Sequence, residues 1–487
     1  MAKKITINPI TRLEGHGKIE IFLDDKGNVE DAYFQVVELR GFERFCLGRP
    51  VEEMPRITPN ICGVCPTPHN MASTKAVDAV YGVEPTPAAK LVRQLHYNAF
   101  YVEDHYIHFF FLSAPDFVVG ADADPAARNI LGLINKVGLE IGGKVIEVRK
   151  RCRDIIRLIA SKPPHPEGGL PGGVPRGITE EERVWIKETA DYAVDFAQFA
   201  LKLFKDVVVA DKKNLDLVLN DAYKLNTYYM GLVDDNKKVN FYEGKLRVVD
   251  PKGKEYALFD PDDYIDHIGE WVEPWTYIRL THLKKVGWNG LNDGNKTSLY
   301  RVGPLARLNV ADGMATPLAQ KAYEEMFEAL GGKPSHHTLA FHWARLIEAL
   351  QAAEDMQRIA NEPLLTSKDI RNMNLKLKQK GVGCVEAARG TLIHHYETDE
   401  RGLLNKANLI VATQHNAAPI CLSVKKAAQG FVRGPEVKEG MLNMVEMAFR
   451  AYDPCLACAT HALPGGMPLK VNIRDRNGAI IRTLSRD

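Results

Sequence analysis

The 487-residue sequence lacks the features that mark several large classes of protein. Lys plus Arg exceed Asp plus Glu by only one, so the chain has no basic surface of the kind that binds nucleic acid or anionic membranes. No uninterrupted apolar run approaches the roughly 18 residues of a membrane span, and residues 1–7 lack the apolar core of a secretory signal. We therefore expect a cytoplasmic protein with no nucleic-acid partner and no membrane span.

Cysteine is scarce, with eight in the chain, and half of these form two pairs near opposite ends. The pairs are Cys62 with Cys65, and Cys455 with Cys458. Each has the two-residue gap that lets both sulfurs bind one metal. In a reducing compartment these cysteines are typical of metal ligands rather than of disulfides.

The distance between the pairs restricts the kinds of site that they can form. A zinc ribbon separates its two cysteine pairs by about 15 to 20 residues, whereas 389 residues lie between Cys65 and Cys455. A local ribbon is therefore excluded. Either the pairs are independent, or the fold brings both ends of the chain together around one buried metal. Independent pairs could also be redox dithiols, but no βαβ pattern flanks either one.

Apolar periodicity predicts an α+β protein that is mainly α. We divide the chain into a β-rich start at 1–60, helices over 61–235, a small β-rich insertion at 238–310, helices and site loops over 316–461, and an extension at 462–487. Pro66 begins one helix, and Asp453 with Pro454 reads as the N-cap and first turn of another. Both cysteine pairs should therefore lie at helix starts, where backbone N–H groups favour thiolates.

Several motifs, in one order along the chain, carry a resemblance to a known family. They are Arg12-Leu13-Glu14-Gly15-His16, Arg40-Gly41-Phe42-Glu43, the two cysteine pairs, Asp104-His105, Ala388-Arg389-Gly390 and the segment from Asp453 to His461. The chain resembles the large, catalytic subunit of nickel-iron hydrogenases from end to end. The resemblance implies the hydrogenase large-subunit fold, with residues 1–461 in a single domain around a central helix bundle. It also implies reversible heterolytic cleavage of H2 to protons and electrons.

The resemblance also implies a ligand set for the metals. Four thiolates bind nickel, with Cys62 and Cys455 terminal and with Cys65 and Cys458 bridging to an iron that carries carbon monoxide and cyanide. Soft sulfur ligands suit these metals better than oxygen donors do. Splitting H2 requires a Lewis-acidic metal to accept hydride and a nearby base to accept the proton. Cys455 is the implied base, and Glu14 is the first carboxylate of the proton relay.

Further residues take roles by the same resemblance. Arg389 is expected over the metals near Asp104 and Asp453, with donors available to a cyanide or to the incoming gas. Thr413 is a candidate cyanide donor. His69 either orients a bridging sulfur or is a helix-capping or core histidine. The remaining pair, Glu43 and His461, is expected to hold magnesium (or iron) near the chain end.

The other cysteines imply partners. Cys46, Cys152, Cys384 and Cys421 are singletons without iron-sulfur spacing, so electrons leaving the site have no relay in this chain. A small subunit carrying iron-sulfur clusters is the expected partner, with further electron-acceptor subunits that include heterodisulfide reductase. In the family, a maturation endopeptidase removes an extension such as 462–487. Residues 41–50 and 412–416 resemble those of the cytoplasmic multimeric group, most like the deazaflavin-non-reducing, methyl-viologen-reducing type. The bidirectional NAD(P)-linked and sulfur-reducing types come next.

Two other readings of the sequence remain at this stage. One is a metal-free scaffold like the respiratory complex I subunit that shares the fold, although retention of the four cysteines and Glu14 argues against it. The other is a protein with two zinc-type pairs that act with a partner. The sequence also departs from the family at Asn60, where many members have arginine, and at Ala388, where proline commonly stands. These departures bear on tuning of the gas site rather than on the metal ligands.

Overall fold

A computed structural model describes residues 3–433, 437–461, 469–474 and 480–486. These residues form fifteen α-helices and fourteen β-strands. The helices are α1 (Phe42–Phe45), α2 (Met54–Ile57), α3 (Pro66–Val80), α4 (Pro87–Tyr106), α5 (Ile130–Val137), α6 (Leu139–Ala160), α7 (Glu180–Phe204), α8 (Lys212–Val218), α9 (Tyr264–His267), α10 (Pro304–Val310), α11 (Pro317–Ala329), α12 (Phe341–Ala360), α13 (Ala412–Phe431), α14 (Glu439–Arg450) and α15 (Leu456–Ala459). The strands are β1 (Lys3–Ile7), β2 (Gly17–Leu23), β3 (Val29–Val36), β4 (Tyr228–Val233), β5 (Lys245–Val249), β6 (Glu255–Phe259), β7 (Ile268–Trp271), β8 (Leu280–Leu283), β9 (Tyr300–Arg301), β10 (Lys380–Ala387), β11 (Gly390–Thr398), β12 (Leu404–Ile410), β13 (Leu469–Arg474) and β14 (Ile480–Arg486).

Four long helices form the centre of the molecule. Helix α12 packs against α4 and α7, and α6 packs against both of these. Almost every residue of α12 is buried, because neighbouring elements surround it on all sides. The predicted mainly helical α+β fold with a central helix bundle is confirmed. Among the described residues, no helix is both long and apolar enough to cross a membrane.

The strands form five small sheets. Strands β1, β2 and β3 make an antiparallel meander at the start of the chain, and buried residues alternate with more exposed ones along β2. The insertion holds a four-stranded sheet of order β6-β5-β4-β9 and the β7–β8 hairpin. Strands β10, β11 and β12 form an antiparallel sheet, and β13 pairs with β14.

The β10–β12 sheet lies directly on helix α3, and two glycines make this contact possible. A Cβ atom at Gly383 would lie 2.0 Å from the backbone oxygen of Ala72, and one at Gly381 would lie 2.3 Å from that of Ala76. Only glycine therefore lets strand β10 approach the helix backbone so closely. This contact brings the first cysteine pair, at the start of α3, against the hairpin that carries Arg389.

Two segments differ from the sequence-based expectation. Residues 380–410 form a sheet where we expected helices and site loops, and the strand-rich region begins with β4 at Tyr228, inside the segment expected to be helical. Nearly every residue of β11 is buried on both faces, so the two-residue alternation that reveals a half-exposed strand is missing from its sequence. The predicted extension 462–487 contains the β13–β14 hairpin, and the rest of it lies outside the described residues.

Candidate metal centre

The four cysteine sulfurs converge on one point. Their Sγ atoms lie 3.0 Å apart for Cys62 and Cys455, 3.1 Å for Cys62 and Cys65, 3.2 Å for Cys65 and Cys458, and 3.0 Å for Cys455 and Cys458. All four lie within 4.8 Å of one another, and all four residues are buried. Independent pairs are therefore excluded, and the two ends of the chain form one site.

Both cysteine pairs lie at helix starts, as predicted, but the N-cap residue of the second helix differs from the prediction. Cys65 is the N-cap of α3 and Cys455 is the N-cap of α15. The prediction that Asp453 is the N-cap was wrong. Asp453 has a left-handed backbone (φ 56°), and its side chain faces Arg389 instead. An aspartate tolerates this conformation better than most residues, so the local sequence permitted a turn that tertiary contacts then used.

Burial and the neighbouring sulfurs together determine the direction in which the pKa of each cysteine is shifted. Burial opposes ionisation of Cys62, yet hydrogen bonds from Cys455, Cys458 and Cys65 outweigh it and lower the pKa of Cys62. The backbone N–H groups of Val64 and Cys65 also donate to its sulfur, each at 3.2 Å. Burial raises the pKa of Cys455 and of Cys458 far above the usual value. A bound metal would stabilise the four sulfurs as thiolates.

Glu14 lies beside this sulfur cluster. Its Oε2 accepts a hydrogen bond from the Cys455 thiol at 3.0 Å and another from the backbone N–H of Ala457 at 3.1 Å. The backbone N–H of Leu456 donates to the Glu14 carbonyl at 3.1 Å, which fastens the first loop to the last cysteine motif. Burial and the charge of Cys62 raise the pKa of Glu14, although these hydrogen bonds oppose the rise. Glu14 is therefore placed to exchange a proton with the Cys455 sulfur.

Arg389 joins the sulfur cluster to two carboxylates. Its Nη1 lies 3.2 Å from Asp104 and its Nη2 lies 2.9 Å from Asp453, and all three side chains are buried. The Arg389 Nε has no hydrogen-bond partner among the described residues. Burial raises the pKa of Asp453, even though Arg389 and Arg345 stabilise its carboxylate. The predicted group of Arg389, Asp104 and Asp453 is thus assembled, and the Nε–H of Arg389 stays unpaired among the described residues.

A buried ionic network, which sequence reasoning missed, holds the turn that carries Arg389. Arg307 pairs with Glu348 at 2.6 Å and with Glu386 at 2.7 Å, and all three are fully buried. The same guanidinium donates to the backbone carbonyls of Ala387, at 2.9 Å, and Ala388, at 3.1 Å. These buried contacts hold the backbone of the turn rigid, and the rigid turn fixes the position of the Arg389 side chain.

Thr413 and His69 both contact the cysteines. The backbone N–H of Cys455 donates to Thr413 Oγ1 at 2.9 Å, so the Thr413 hydroxyl keeps a hydrogen to donate elsewhere. His69 Nε2 lies 3.3 Å from the sulfur of Cys458. Burial lowers the pKa of His69 to about 4, so the ring is neutral near pH 7. Of the two readings of His69, contact with a sulfur is the one the geometry supports.

A second set of ligand atoms lies next to the last cysteine motif. His461 Nε2 contacts the backbone oxygen of Leu409 and lies 3.8 Å from Glu43 Oε1. The backbone N–H of Leu409 donates to the same carboxylate oxygen at 2.7 Å. The predicted residues Glu43 and His461 are thus brought together. The Leu409 carbonyl, a third potential ligand, has no sequence signal because every residue has one.

A small cavity adjoins the sulfurs. Three of the cysteines line it together with Arg389 and Thr413, and the rest of its wall is mainly apolar. The lining residues are Cys65, Pro68, His69, Ala387, Arg389, Leu392, Val411, Ala412, Thr413, Cys455 and Cys458. Four soft ligands, an unpartnered guanidinium nitrogen and a free hydroxyl hydrogen suit a thiolate-bound metal that carries small polar ligands.

Comparisons with known proteins agree with this geometry. The family described as "Nickel-dependent hydrogenase" matches residues 40–136 and 294–461, and a family described as "HoxL-like" matches residues 4–39. The chain is 50% identical over 483 residues to an F420-non-reducing hydrogenase iron-sulfur subunit of Archaeoglobus profundus, covering 99% of both chains. The chain belongs to the nickel-dependent hydrogenase family. It is therefore an oxidoreductase that acts on H2, with four cysteines positioned to bind metal.

Other relatives of this hydrogenase chain come from several types. It is 41% identical to an F420-non-reducing hydrogenase subunit of Methanothermobacter thermautotrophicus, covering 99% of this chain and 100% of the relative. It is 38% identical to the NAD-reducing hydrogenase HoxS subunit beta of Cupriavidus necator over the full length of both chains. A crystal structure of an NAD+-reducing [NiFe]-hydrogenase superposes with a TM-score of 0.89 at 36% identity, covering 94% of this chain and 99% of that one.

Proposed function

We propose that the four thiolates hold a nickel-iron centre at which H2 is cleaved reversibly to protons and electrons. Cys62 and Cys455 would be terminal ligands of nickel, and Cys65 and Cys458 would bridge to iron. The observation that carries the proposal is the convergence of four buried sulfurs from opposite ends of the chain within 4.8 Å. Thiolates are the ligands that suit such metals, and burial keeps water from competing for them.

Cys455 and Glu14 would handle the proton. When bound, the centre supplies the Lewis acid that polarises H2. The Cys455 sulfur, as the implied base, accepts the proton and passes it to Glu14 Oε2, which lies 3.0 Å away. Glu14 is partly exposed, so it can pass the proton outward. We propose Glu14 as the first carboxylate of the relay.

We further propose that the iron carries carbon monoxide and cyanide in the cavity beside the sulfurs. Arg389 Nε and the Thr413 hydroxyl are the donors available there, since neither hydrogen has another partner among the contacts described. The apolar walls would leave the carbon monoxide without hydrogen bonds. Asp104 and Asp453 would hold the Arg389 guanidinium in place and balance its charge.

The proposed electron route leaves this chain for a small subunit that carries iron-sulfur clusters. All eight cysteines lie within the described residues, and the four-cysteine cluster is the one group of three or more histidine, cysteine and acidic side chains found there that could hold a metal. Relatives are named as single subunits of F420-non-reducing hydrogenases. We place this chain in that methyl-viologen-reducing type, with heterodisulfide reductase as an acceptor further along. The NAD-linked type is the second candidate, favoured by the TM-score of 0.89.

A maturation endopeptidase is proposed to remove residues 462–487. The backbone supports a boundary at this point, because Glu43 N–H donates to the His461 carbonyl at 3.1 Å and the N–H groups of Arg40 and Gly41 donate to the Thr460 carbonyl. Residues up to His461 are thus tied to the body of the protein.

Metal analysis of the complex purified with its small subunit tests the proposal. We expect about one nickel and one iron per chain, infrared bands of iron-bound carbon monoxide and cyanide, and reduction of methyl viologen by H2. Zinc as the only metal would instead support two structural cysteine pairs. A complex free of metal would support a scaffold role like that of the complex I subunit.

We propose that magnesium (or iron) binds Glu43, the Leu409 carbonyl and His461. The variant Glu43→Gln keeps an oxygen for the N–H of Leu409 but removes the charge that a hard cation requires. We expect it to lose the magnesium found in the wild type. The free energy of unfolding should fall by about 2.7 kcal/mol when magnesium is at a hundredfold its Kd. Elemental analysis and thermal unfolding measure the two effects.

Glu38→Gln is the control for this site, because Glu38 also pairs with a histidine, His16, at an exposed position. It should retain the metal. If Glu43→Gln and Glu38→Gln contain equal magnesium, the contact between His461 and Leu409 is a structural hydrogen bond and not a metal site.

A further inference from the structure

A chain of hydrogen bonds extends from Cys458 into the protein. His69 Nε2 lies 3.3 Å from the Cys458 sulfur, and His69 Nδ1 lies 3.1 Å from His394 Nε2. His394 Nδ1 lies 2.7 Å from the Tyr396 hydroxyl, which lies 3.0 Å from Ser73 Oγ. Every member of this chain is buried. The chain therefore links a metal-ligating sulfur to three residues that do not touch the site.

Two of these residues lie on helix α3 and two lie on strand β11. His69 and Ser73 are four residues apart on α3 and so lie on one face of the helix. His394 and Tyr396 are two residues apart on β11 and so lie on one face of the strand. Because Gly381 and Gly383 let the sheet approach α3, the two pairs interleave.

The buried histidines of this protein differ in how many of their ring nitrogens are paired, and His108 and His461 have partners at both. His96, His105, His342 and His415 each leave one ring nitrogen without a hydrogen-bond partner among the described residues. His69 and His394 each have partners at both nitrogens. Pairing both nitrogens offsets the free energy that their burial would otherwise cost, and it fixes the orientation of the two rings.

The chemistry of the sulfur determines the direction of the hydrogen bonds. A metal-bound thiolate can only accept, so His69 Nε2 must carry the hydrogen. Neither ring has a carboxylate partner, so both are taken as neutral, and Nδ1 of His69 must accept from His394 Nε2. His394 Nδ1 in turn accepts from the Tyr396 hydroxyl, whose oxygen accepts from Ser73. Every hydrogen then points toward Cys458.

We propose that His394, Tyr396 and Ser73 are positioning residues that hold His69 in the tautomer that donates to the Cys458 sulfur. This inference rests on the proposed function, because it requires a metal-bound thiolate at Cys458. The donated hydrogen withdraws electron density from a bridging sulfur. The three outer residues thereby tune the centre without contacting it.

The variant Tyr396→Phe tests the proposal, since it removes one hydroxyl and leaves the ring. His394 Nδ1 then has no donor, and the bond from His69 to Cys458 weakens. More electron density stays on the sulfur and reaches the iron-bound carbon monoxide. We expect its infrared stretching band to shift to lower wavenumber, with nickel and iron contents equal to those of the wild type.

A neighbouring tyrosine provides the matched control. The Tyr264 hydroxyl lies 2.9 Å from Nδ1 of His395, the residue that follows His394 on the same strand and points to the opposite face. Tyr264→Phe removes the same kind of hydrogen bond from the same strand without touching the chain to Cys458. Its carbon monoxide band should coincide with that of the wild type.

Ser73→Ala keeps the test informative if Tyr396→Phe folds poorly. It removes only the last donor, and we expect a smaller shift in the same direction. Bands of Tyr396→Phe and Ser73→Ala that both coincide with the wild type would overturn the proposal, and so would an equal shift in Tyr264→Phe. A wild-type complex without nickel or carbon monoxide bands would instead contradict the proposed function.

Discussion

Replacing Cys455 with alanine is expected to abolish nickel binding and all H2 oxidation. The change removes one of four sulfurs, which lies 3.0 to 3.8 Å from the other three, and leaves no other soft ligand within reach in the described residues. It also removes the atom that contacts Glu14. Nickel per chain, measured on the purified complex, should fall to background. Cys455→Ser should fail as well, because a hydroxyl is a poor ligand for these metals.

Cys421→Ala is the matched control for this loss. Cys421 is as completely buried as Cys455, and its sulfur contacts the carbonyl of Ala32, at 3.8 Å, and the backbone of Phe34, away from the four-cysteine cluster. This variant should keep its nickel and lose only a little stability. A nickel-replete Cys455→Ala complex would contradict the assignment of the ligands.

Replacing Glu14 with glutamine is expected to leave nickel and iron in place and to slow exchange between H2 and solvent protons by a factor of about 10² to 10⁴. The amide oxygen of glutamine can still accept from the N–H of Ala457, so the loop keeps its position. The amide cannot take up and release a proton as a carboxylate does. Isotope exchange between D2 and water measures this step without an electron acceptor.

Glu38→Gln again serves as the control. It alters the carboxylate that pairs with His16, a residue of the same motif as Glu14. Its exchange rate should match the wild type. If exchange in Glu14→Gln is also unchanged while its metal content is normal, the proton leaves Cys455 by another route and Glu14 is not in the relay.

Local sequence patterns predicted a large part of this molecule. The proline at position 66 marked the start of helix α3 correctly, and α12 lies in the region 316–461 where helices were expected. Arg389 lies at the turn between β10 and β11. These features depend on residues close together in sequence. The resemblance supplied the convergence of the two cysteine pairs, which spacing alone left open.

Other features depend on contacts between distant residues and could not be seen in this way. Arg307, Glu348 and Glu386 look like ordinary surface charges in the sequence, yet the fold buries them together behind the Arg389 turn. Asp453 read as a helix cap because its neighbour is proline, but a buried ion pair to Arg389 outweighed that preference. The Leu409 carbonyl could not be identified from the sequence, because every residue has a backbone carbonyl and only the fold places this one beside His461.

The meeting of both chain ends at one site has a consequence for biosynthesis. Translation at about 5 to 20 residues per second means that the ribosome completes Cys455 roughly 20 to 80 s after Cys65. Throughout that interval the nascent polypeptide carries a dithiol without its partner sulfurs. The proposed centre could therefore be completed only after Cys458 has been made, and a chain truncated before residue 458 would lack at least one of its four sulfurs.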